Sequence, residues 1–359
     1  MKKLFLLSAA AIFVSSFSYA EIRRVGYAGQ PRAGVDYANF NDAQTASSNG
    51  DTIQVYGNTV NGSVSKRLVI MGFGYNLDVN TGLQALTSDA PSGVSIGFIA
   101  GSDSSVIEGC SGSIGLGEYN GPDSIDNIAI KRCNASISIY NAPNNKIRNI
   151  KIYSSIVQNL NMVWNGINYG LVTNIQVYNS YVQNVTFFNS STTAAIINCV
   201  CTSPEYSGGS LNLNEAGVLV KNSIFNSANI TTNVNTVFEN NFFFEAQPVQ
   251  TVPGSNNRWN QRWNNLFERL GGTTDNPSYF GDPTFDEDYF ILKAGSLAIN
   301  GGFNALGQPT DCGMYGGEAA YRYKLSGILA VPAIYKLTAP STAATANPYN
   351  VTISVRSNN

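Results

Sequence analysis

Ile125-Asp126-Asn127-Ile128-Ala129-Ile130 is followed by Ile147-Arg148-Asn149-Ile150-Lys151-Ile152 and by Val172-Thr173-Asn174-Ile175-Gln176-Val177. The pattern, apolar, any, Asn, apolar, any, apolar, returns as Ile196-Ile197-Asn198-Cys199-Val200-Cys201. Val220-Lys221-Asn222-Ser223-Ile224-Phe225 and Phe238-Glu239-Asn240-Asn241-Phe242-Phe243 match it in part. Ile70-Met71-Gly72-Phe73 and Ile107-Glu108-Gly109-Cys110 are earlier members with Gly in the Asn place. Successive Asn positions lie 22, 25, 24, 24 and 18 residues apart. Alternation with period two makes each copy a strand bent at the Asn, its apolar residues on one side. One such strand cannot bury that side alone. Coils of ~20 residues stacked at ~4.8 Å set each Ile on the Ile below and close a continuous core. Asn tolerates the left-handed backbone a bend needs, and Gly does the same without a side chain. The repeat therefore predicts an all-β parallel solenoid. A β-sandwich would turn every ~8–12 residues and gives no reason for an aligned Asn.

A solenoid exposes strand edges at its ends, which must be covered. Phe40–Ala46 reads as a short helix over the first coil, ahead of Gly50-Asp51-Thr52-Ile53-Gln54-Val55. Trp259, Trp263, Leu266, Phe267 and Leu270 fall at helical spacing, which predicts an amphipathic helix over 258–270 closing the stack or bridging to the tail. The expected organisation is a leader over 1–20, a capped β-helix over 21–248, a C-terminal capping region over 249–321 and a tail over 322–359. In the leader, Lys2 and Lys3 precede an apolar run from Leu4 to Val14 and a small-residue stretch ending Ser18-Tyr19-Ala20. That is the arrangement of a secretory signal, so an extracellular, cell-surface or periplasmic protein is expected. No other run is long and apolar enough to span a bilayer. The tail holds a spacer over 340–348 and an alternating strand, Val351–Arg356, able to pair along the solenoid or with a partner.

Composition excludes several chemistries. The 359 residues include no His, 44 Asn, 34 Gly and 12% charged residues, with 21 Lys+Arg against 23 Asp+Glu. Ser-His-Asp and Cys-His nucleophiles and His-ligated zinc are removed at once. Balanced charge lacks the basic footprint of a nucleic-acid binder. Five cysteines, Cys110, Cys133, Cys199, Cys201 and Cys312, are too few and odd in number for a disulfide framework, and read as small buried hydrophobes.

Phe40–Ala46, Gly50–Val55 and Lys66-Arg67-Leu68-Val69-Ile70-Met71-Gly72-Phe73-Gly74 together resemble the opening of right-handed parallel β-helix repeat proteins of the pectin-lyase-like superfamily. Gly295–Gly302, Asp311–Gly317 and the stretch from Leu325 through Tyr335 resemble the end of such proteins exported by Bacteroidetes-type bacteria. The resemblance covers nearly the whole mature chain and implies fold far more than function. Lyases of the superfamily pair an Arg or Lys base with acidic Ca²⁺ ligands, which implies Arg148 or Lys151 as base and Asp126 beside the metal. The hydrolases of the fold use a histidine-containing motif that this chain cannot supply. The charges Glu108, Asp126, Arg148, Lys221 and Glu239 each stand one position before a bend. They predict an outward column of alternating sign, the pattern of a solvated face. Asp282, Asp286, Glu287 and Asp288 resemble a Ca²⁺ loop without its Gly or its final Glu, and read as a solvated turn.

One binding surface is expected from the alternation. With Ile139, Val163 and Phe187 inward, Tyr140, Trp164 and Phe188 point out at 24-residue intervals, each followed by Asn141, Asn165 or Asn189. Rings flanked by amides suit sugar faces. A regular Thr-x-Thr ladder, which an ice-binding face would need, is absent. The sequence therefore points to an exported β-helix that binds polysaccharide or cell-envelope material and needs no cofactor. A uronan lyase, a glycoside hydrolase on the same fold and a purely structural spacer are the alternatives, and Ca²⁺ enters only with the lyase.

Overall fold

A computed structural model describes residues 20–26, 36–57, 60–77, 93–119, 121–163, 170–187, 192–202, 211–213, 217–226, 230–232, 235–244, 254–268, 286–329, 333–338 and 351–356. Residues 1–19 of the leader expected over 1–20 lie outside them. Two parallel sheets, of 12 and 11 strands among the described residues, stack coil upon coil as a parallel β-helix. In the first sheet the register places Ile53, Ile70, Ile107, Ile130, Ile152, Val177, Ile196, Val220 and Phe238 in one inward column. In the second sheet Ile96, Ile114, Ile137, Leu160, Val185 and Leu211 do the same. Every one of them is at most 3% exposed. At roughly 2 kcal/mol for each fully buried Ile or Leu, these columns are the main favourable term that holds coil to coil.

The bends correct the alignment read from sequence. Asn127, Asn149 and Asn174 stack on one another in the first sheet, the last two inside strands and Asn127 in the break between Ser124–Asp126 and Ala129–Lys131, with φ of 60°, 55° and 56°. Asn198, Asn222 and Asn240 belong to a different column, where the chain passes from the first sheet to the second. That second column runs Gly109, Arg132, Ser154, Asn179, Asn198, Asn222, Asn240 and Asn256, all with positive φ. Each N–H from Gly109 to Asn240 donates to the carbonyl of the residue before the bend in the next coil, as Asn198 does to Lys221. The sequence motif fused the two bends because both need a left-handed residue and Asn serves both.

Just past the second bend an inward polar ladder continues the core. Ser155 Oγ accepts from Cys133 N at 3.1 Å, Ser180 Oγ from Ser155 N at 3.2 Å, and Ser223 Oγ from Cys199 N at 3.1 Å. Asn241 Oδ1 accepts from Ser223 N at 2.8 Å, and Asn257 Oδ1 from Asn241 N at 3.1 Å. Cys110, Cys133 and Cys199 fill this position in other coils. All five cysteines are free and buried, and burial pushes the thiols of Cys133, Cys199 and Cys312 up to about 12. The expectation of buried cysteines holds, although three of them belong to a turn ladder.

The N-terminal cap is the helix Phe40–Ala46, with Asn39 Oδ1 capping Asp42 N. Phe40 lies so close over Gly62 that a Cβ there would stand 2.4 Å from its ring, so the first coil requires glycine. At the other end the expected helix over 258–270 is reduced to Trp263–Leu266. Trp259 stacks on Phe243 with centroids 4.1 Å apart and ends the inner core, whereas Trp263 is buried in a separate outer one. The backbone between them is not helical, since Asn260 is a left-handed bend with φ 56° and Arg262 is extended, and Arg258 still pairs with Phe242 as a last partial coil. Leu270 lies outside the described residues.

Beyond this point the chain turns back and runs along the flank of the stack as a strap. Phe303 is bound to Asn222, Asp311 O to Asn198, and Met314 O and Gly316 O to Asn179. Tyr321 O and Arg322 O accept from Ser154, and Ile328 O accepts from Arg132. The strap thus descends the second bend column coil by coil. Under it Ile156, Tyr181, Val200, Ile224 and Phe242 form the outer core with Phe290, Ala298, Cys312, Met314 and Tyr323. The terminal strand Thr352–Arg356 pairs antiparallel with Ala333–Thr338 of the same chain. The spacer over 340–348 lies outside the described residues.

Candidate functional site

The outward face of the first sheet carries the charges, in two columns instead of the single one expected. Glu108 is buried between Lys131 at 2.5 Å and Arg132 at 3.5 Å, and Lys221 pairs with Glu239 at 3.7 Å, all along the second bend. Asp126 meets Arg148 at 3.2 Å beside the first bend. The split follows from the two Asn columns, since each charge precedes its own bend. Asp126 also accepts from the Asn149 amide at 2.7 Å, so both oxygens of this candidate metal ligand are engaged by neighbours. Arg148 is held by the same carboxylate, and Lys151 stands in another column, between Ala129 and Gln176. Of the lyase set the structure brings Asp126 and Arg148 into one ion pair and leaves Lys151 in the other column. Among the described residues no three His, Cys, Asp or Glu side chains group as a metal site. In the acidic turn Asp286 Oδ1 caps Asp288 N, and Glu287 is turned inward and buried. Asp282 lies outside the described residues.

The aromatic ladder is corrected by register. Tyr140 pairs with Val163, 23 residues on, because Gln158 is an extra residue bulged out of its strand. The following coil is 25 residues, pairing Asn161 with Thr186. The 24-residue interval is thus the mean of two unequal coils. Ile139 and Phe187 are buried as expected, but Met162 takes the inward place and Val163 is half-buried. Asn141, expected to flank an exposed ring, is fully buried, because its N–H joins the ladder at Val163 O and turns the side chain in. Tyr140 is half-buried, edge-on to Tyr119. Trp164, Asn165, Phe188 and Asn189 lie outside the described residues. What the second sheet does present is a row of small neutral groups: Ser95, Ser113, Ser136, Asn159 and Asn184 in one column. The amide of Asn184 donates to Asn159 and that of Asn159 to Ser136.

A concave site lies elsewhere, where the strap crosses the first sheet. A cleft of about 340 Å³ is floored by Ile197 and Leu219 and walled by Tyr178, Tyr321 and Phe303. Lys221 and Glu318 also line it, with Asn304, whose amide is bonded within its own turn to Gln308 and Leu306. Tyr178 and Tyr321 stack with centroids 5.2 Å apart, and Tyr153 meets Tyr321 edge-on at 5.3 Å. Phe303 is 40% exposed. Asn179, Asn198 and Asn222 close the base, already committed to strap carbonyls. Sequence reasoning missed this site because its walls come from segments more than a hundred residues apart. The repeat marked its base, through Ile197, Asn198, Lys221 and Asn222, but not its aromatic walls.

Below the cleft the strap is locked by a buried carboxylate. Glu287 is 1% exposed, and its oxygens accept from the Asn76 amide at 2.9 Å and from Ser326 N at 2.7 Å. The Tyr323 hydroxyl adds a hydrogen bond, and is itself paired with the Tyr75 hydroxyl at 2.8 Å. None of these donors is cationic. Burial outweighs them and raises the carboxyl to about 7.

No protein-family model matches the chain, and no curated protein or solved structure is detectably similar to it.

Proposed function

We propose that the protein is an exported β-helix that binds polysaccharide or cell-envelope glycan, and that the Tyr178–Tyr321 cleft is where it does so. The observation that carries this reading is the cleft itself: aromatic walls over an apolar floor, with Lys221 and Glu318 supplying both charge signs. Sugar rings offer apolar faces and hydroxyl edges, and such an arrangement answers both. The resemblance to pectin-lyase-like proteins agrees with a glycan ligand. The lyase alternative is less well supported, since Arg148 and Asp126 are engaged with each other and lie outside the residues lining the cleft.

A glycan array followed by calorimetry tests the proposal. Tyr321→Ala and Tyr178→Ala should each weaken the best ligand by about tenfold or more, each removing one ring worth ~1–2 kcal/mol in contact. Tyr140→Ala, on the other sheet, should leave affinity unchanged. Absence of any glycan ligand, or equal affinity in the cleft variants, would overturn the reading. Fractionation of the source cells tests export.

A further inference from the structure

The chain has no histidine, so a response near neutral pH cannot use imidazole. Glu287 occupies the place where such a response would matter. It sits on the 3-10 turn Glu287–Phe290 and ties the strap, through Ser326 and Tyr323, to Asn76 and Tyr75 of an early coil. Tyr323 and Ser326 follow Tyr321, the cleft wall, by two and five residues. The backbone there is unusual: Ser326 has φ 55° and Gly327 φ 62°. A Cβ at Gly327 would stand 2.4 Å from both Arg132 O and the Tyr75 ring. The end of the strap therefore fits tightly against early coils, around one buried carboxyl group.

We propose that Glu287 is a protonation latch: with the carboxyl neutral the strap end stays docked on Tyr75 and Asn76, and ionising it loosens the strap and with it the Tyr321 wall of the cleft. The functional half of this proposal rests on the cleft being the glycan site; the latch itself does not. A neutral carboxyl suits the pocket, since its carbonyl oxygen accepts from Ser326 N and its hydroxyl can donate to the Asn76 amide oxygen once that amide is turned. An ionised one must be stabilised by neutral donors alone, in a dry setting.

The other titratable groups facing Glu287 do not compete in this range. Tyr75, Tyr315 and Tyr323 are held well above the ordinary tyrosine value, chiefly by burial, and remain neutral hydroxyls. Asp286 and Asp288, on the same turn, disfavour a further negative charge next to Tyr315 and Glu287. Cys133, behind Tyr75, is a neutral thiol, pushed up to about 12. Arg132 reaches the strap at Ile328 O but pairs with Glu108. The sign follows. Docked, the carboxyl titrates at about 7, and released into water it returns to its ordinary 4.5. The docked form holds more protons between these values, so docking is full below the lower one and weakens as pH rises. The loss approaches tenfold per pH unit in the ratio of docked to released strap and levels off above the higher value.

The test is hydrogen exchange on the full-length protein from pH 5 to 8.5, corrected for intrinsic rates, comparing peptides from 314–329 with peptides from 128–153. Strap protection should fall with rising pH while the coil peptides stay constant, and Glu287→Gln should hold the strap protected throughout. Tyr323→Phe, which removes one donor to the carboxylate, should extend the decline to higher pH. Strap protection that is flat in the wild type, or equally pH-dependent in Glu287→Gln, overturns the latch. So does a Tyr323→Phe profile that is unmoved, should the glutamine variant not fold. Calorimetry with the array's best glycan at pH 5.5 and 8 then separates the two ideas. A pH-dependent strap without a glycan ligand leaves the latch standing and removes the cleft reading, and a ligand whose affinity ignores pH removes the coupling.

Discussion

The two left-handed bend columns use the same residue at nearly the same φ, yet only one is covered. Asn127 and Asn174 are exposed and Asn149 is half-buried; among the described residues no strap reaches them, and their side chains bond within the stack, Asn127 to Ser104, Asn149 to Asp126 and Asn174 to Asn149 at 2.6 Å. Asn179, Asn198 and Asn222 are at most 4% exposed and spend their amides on the strap. The difference lies in what arrives from elsewhere in the chain. At the first bend Asn is chosen for backbone tolerance, which Gly could match. At the second it is also a docking group, supplying hydrogen bonds to strap peptide units that would otherwise be buried unpaired. One motif therefore does two jobs, and substitutions can separate them.

The largest effect is expected at Asn222. Its amide donates to Phe303 O at 2.9 Å and its oxygen accepts from Phe303 N at 3.2 Å. Asn222→Ala should cost about 3 kcal/mol. A left-handed alanine accounts for ~1 of this and two orphaned strap groups for ~1 each. Asn222→Gly repairs only the backbone, so about 2 kcal/mol of loss should remain. Chemical denaturation of both variants measures this directly. If glycine rescues fully, the amide contacts do not hold the strap and the contrast between the bends collapses.

At the exposed bend the balance reverses. Asn149→Ala should cost about 1.5 kcal/mol, of which ~1 is conformational and the rest its water-accessible bonds to Asp126 and Asn174, so Asn149→Gly should come within about 0.5 kcal/mol of wild type. The comparison is sharpest as a ratio, since the fraction recovered by glycine reads how much of each Asn is backbone and how much is contact.

The repeat was legible because its physics is local: Ile152 lies between Ile130 and Val177 for the reason its period-two neighbours suggest. The helix at Phe40–Ala46 and the terminal strand Thr352–Arg356 were legible for the same reason. What was hidden depended on register or on distant partners. The single bulge at Gln158 shifted Tyr140 onto Val163, and no periodicity marks a bulge. Asn127 and Asn198 share a motif although they turn the chain at different corners, because conformational demand does not record which corner it serves. Trp259 and Trp263 fit a helical spacing, but Trp259 belongs to the last coil and Trp263 to the outer core. The cleft and the Glu287 lock need Tyr178 beside Tyr321 and Asn76 beside Ser326, pairings that only the returning strap creates.

The smallest effect concerns the pair Asp126–Arg148, whose side chains are 33% and 44% exposed. On a solvated face such a pair should show a coupling of about 0.5 kcal/mol in a double-mutant cycle of Asp126→Asn and Arg148→Gln, fading in high salt. That small number bears on function. A base and metal ligand built for lyase chemistry would be kept dry and strongly coupled, since charges removed from water interact more strongly. A coupling of about 2 kcal/mol or more that survives salt would mean that this face is kept from water and that the charged column is a site. A weak, screened coupling leaves Asp126 and Arg148 as neighbours in the stack, and leaves the covered bend, with its strap and cleft, as the part of the molecule whose side chains are committed to something beyond the repeat.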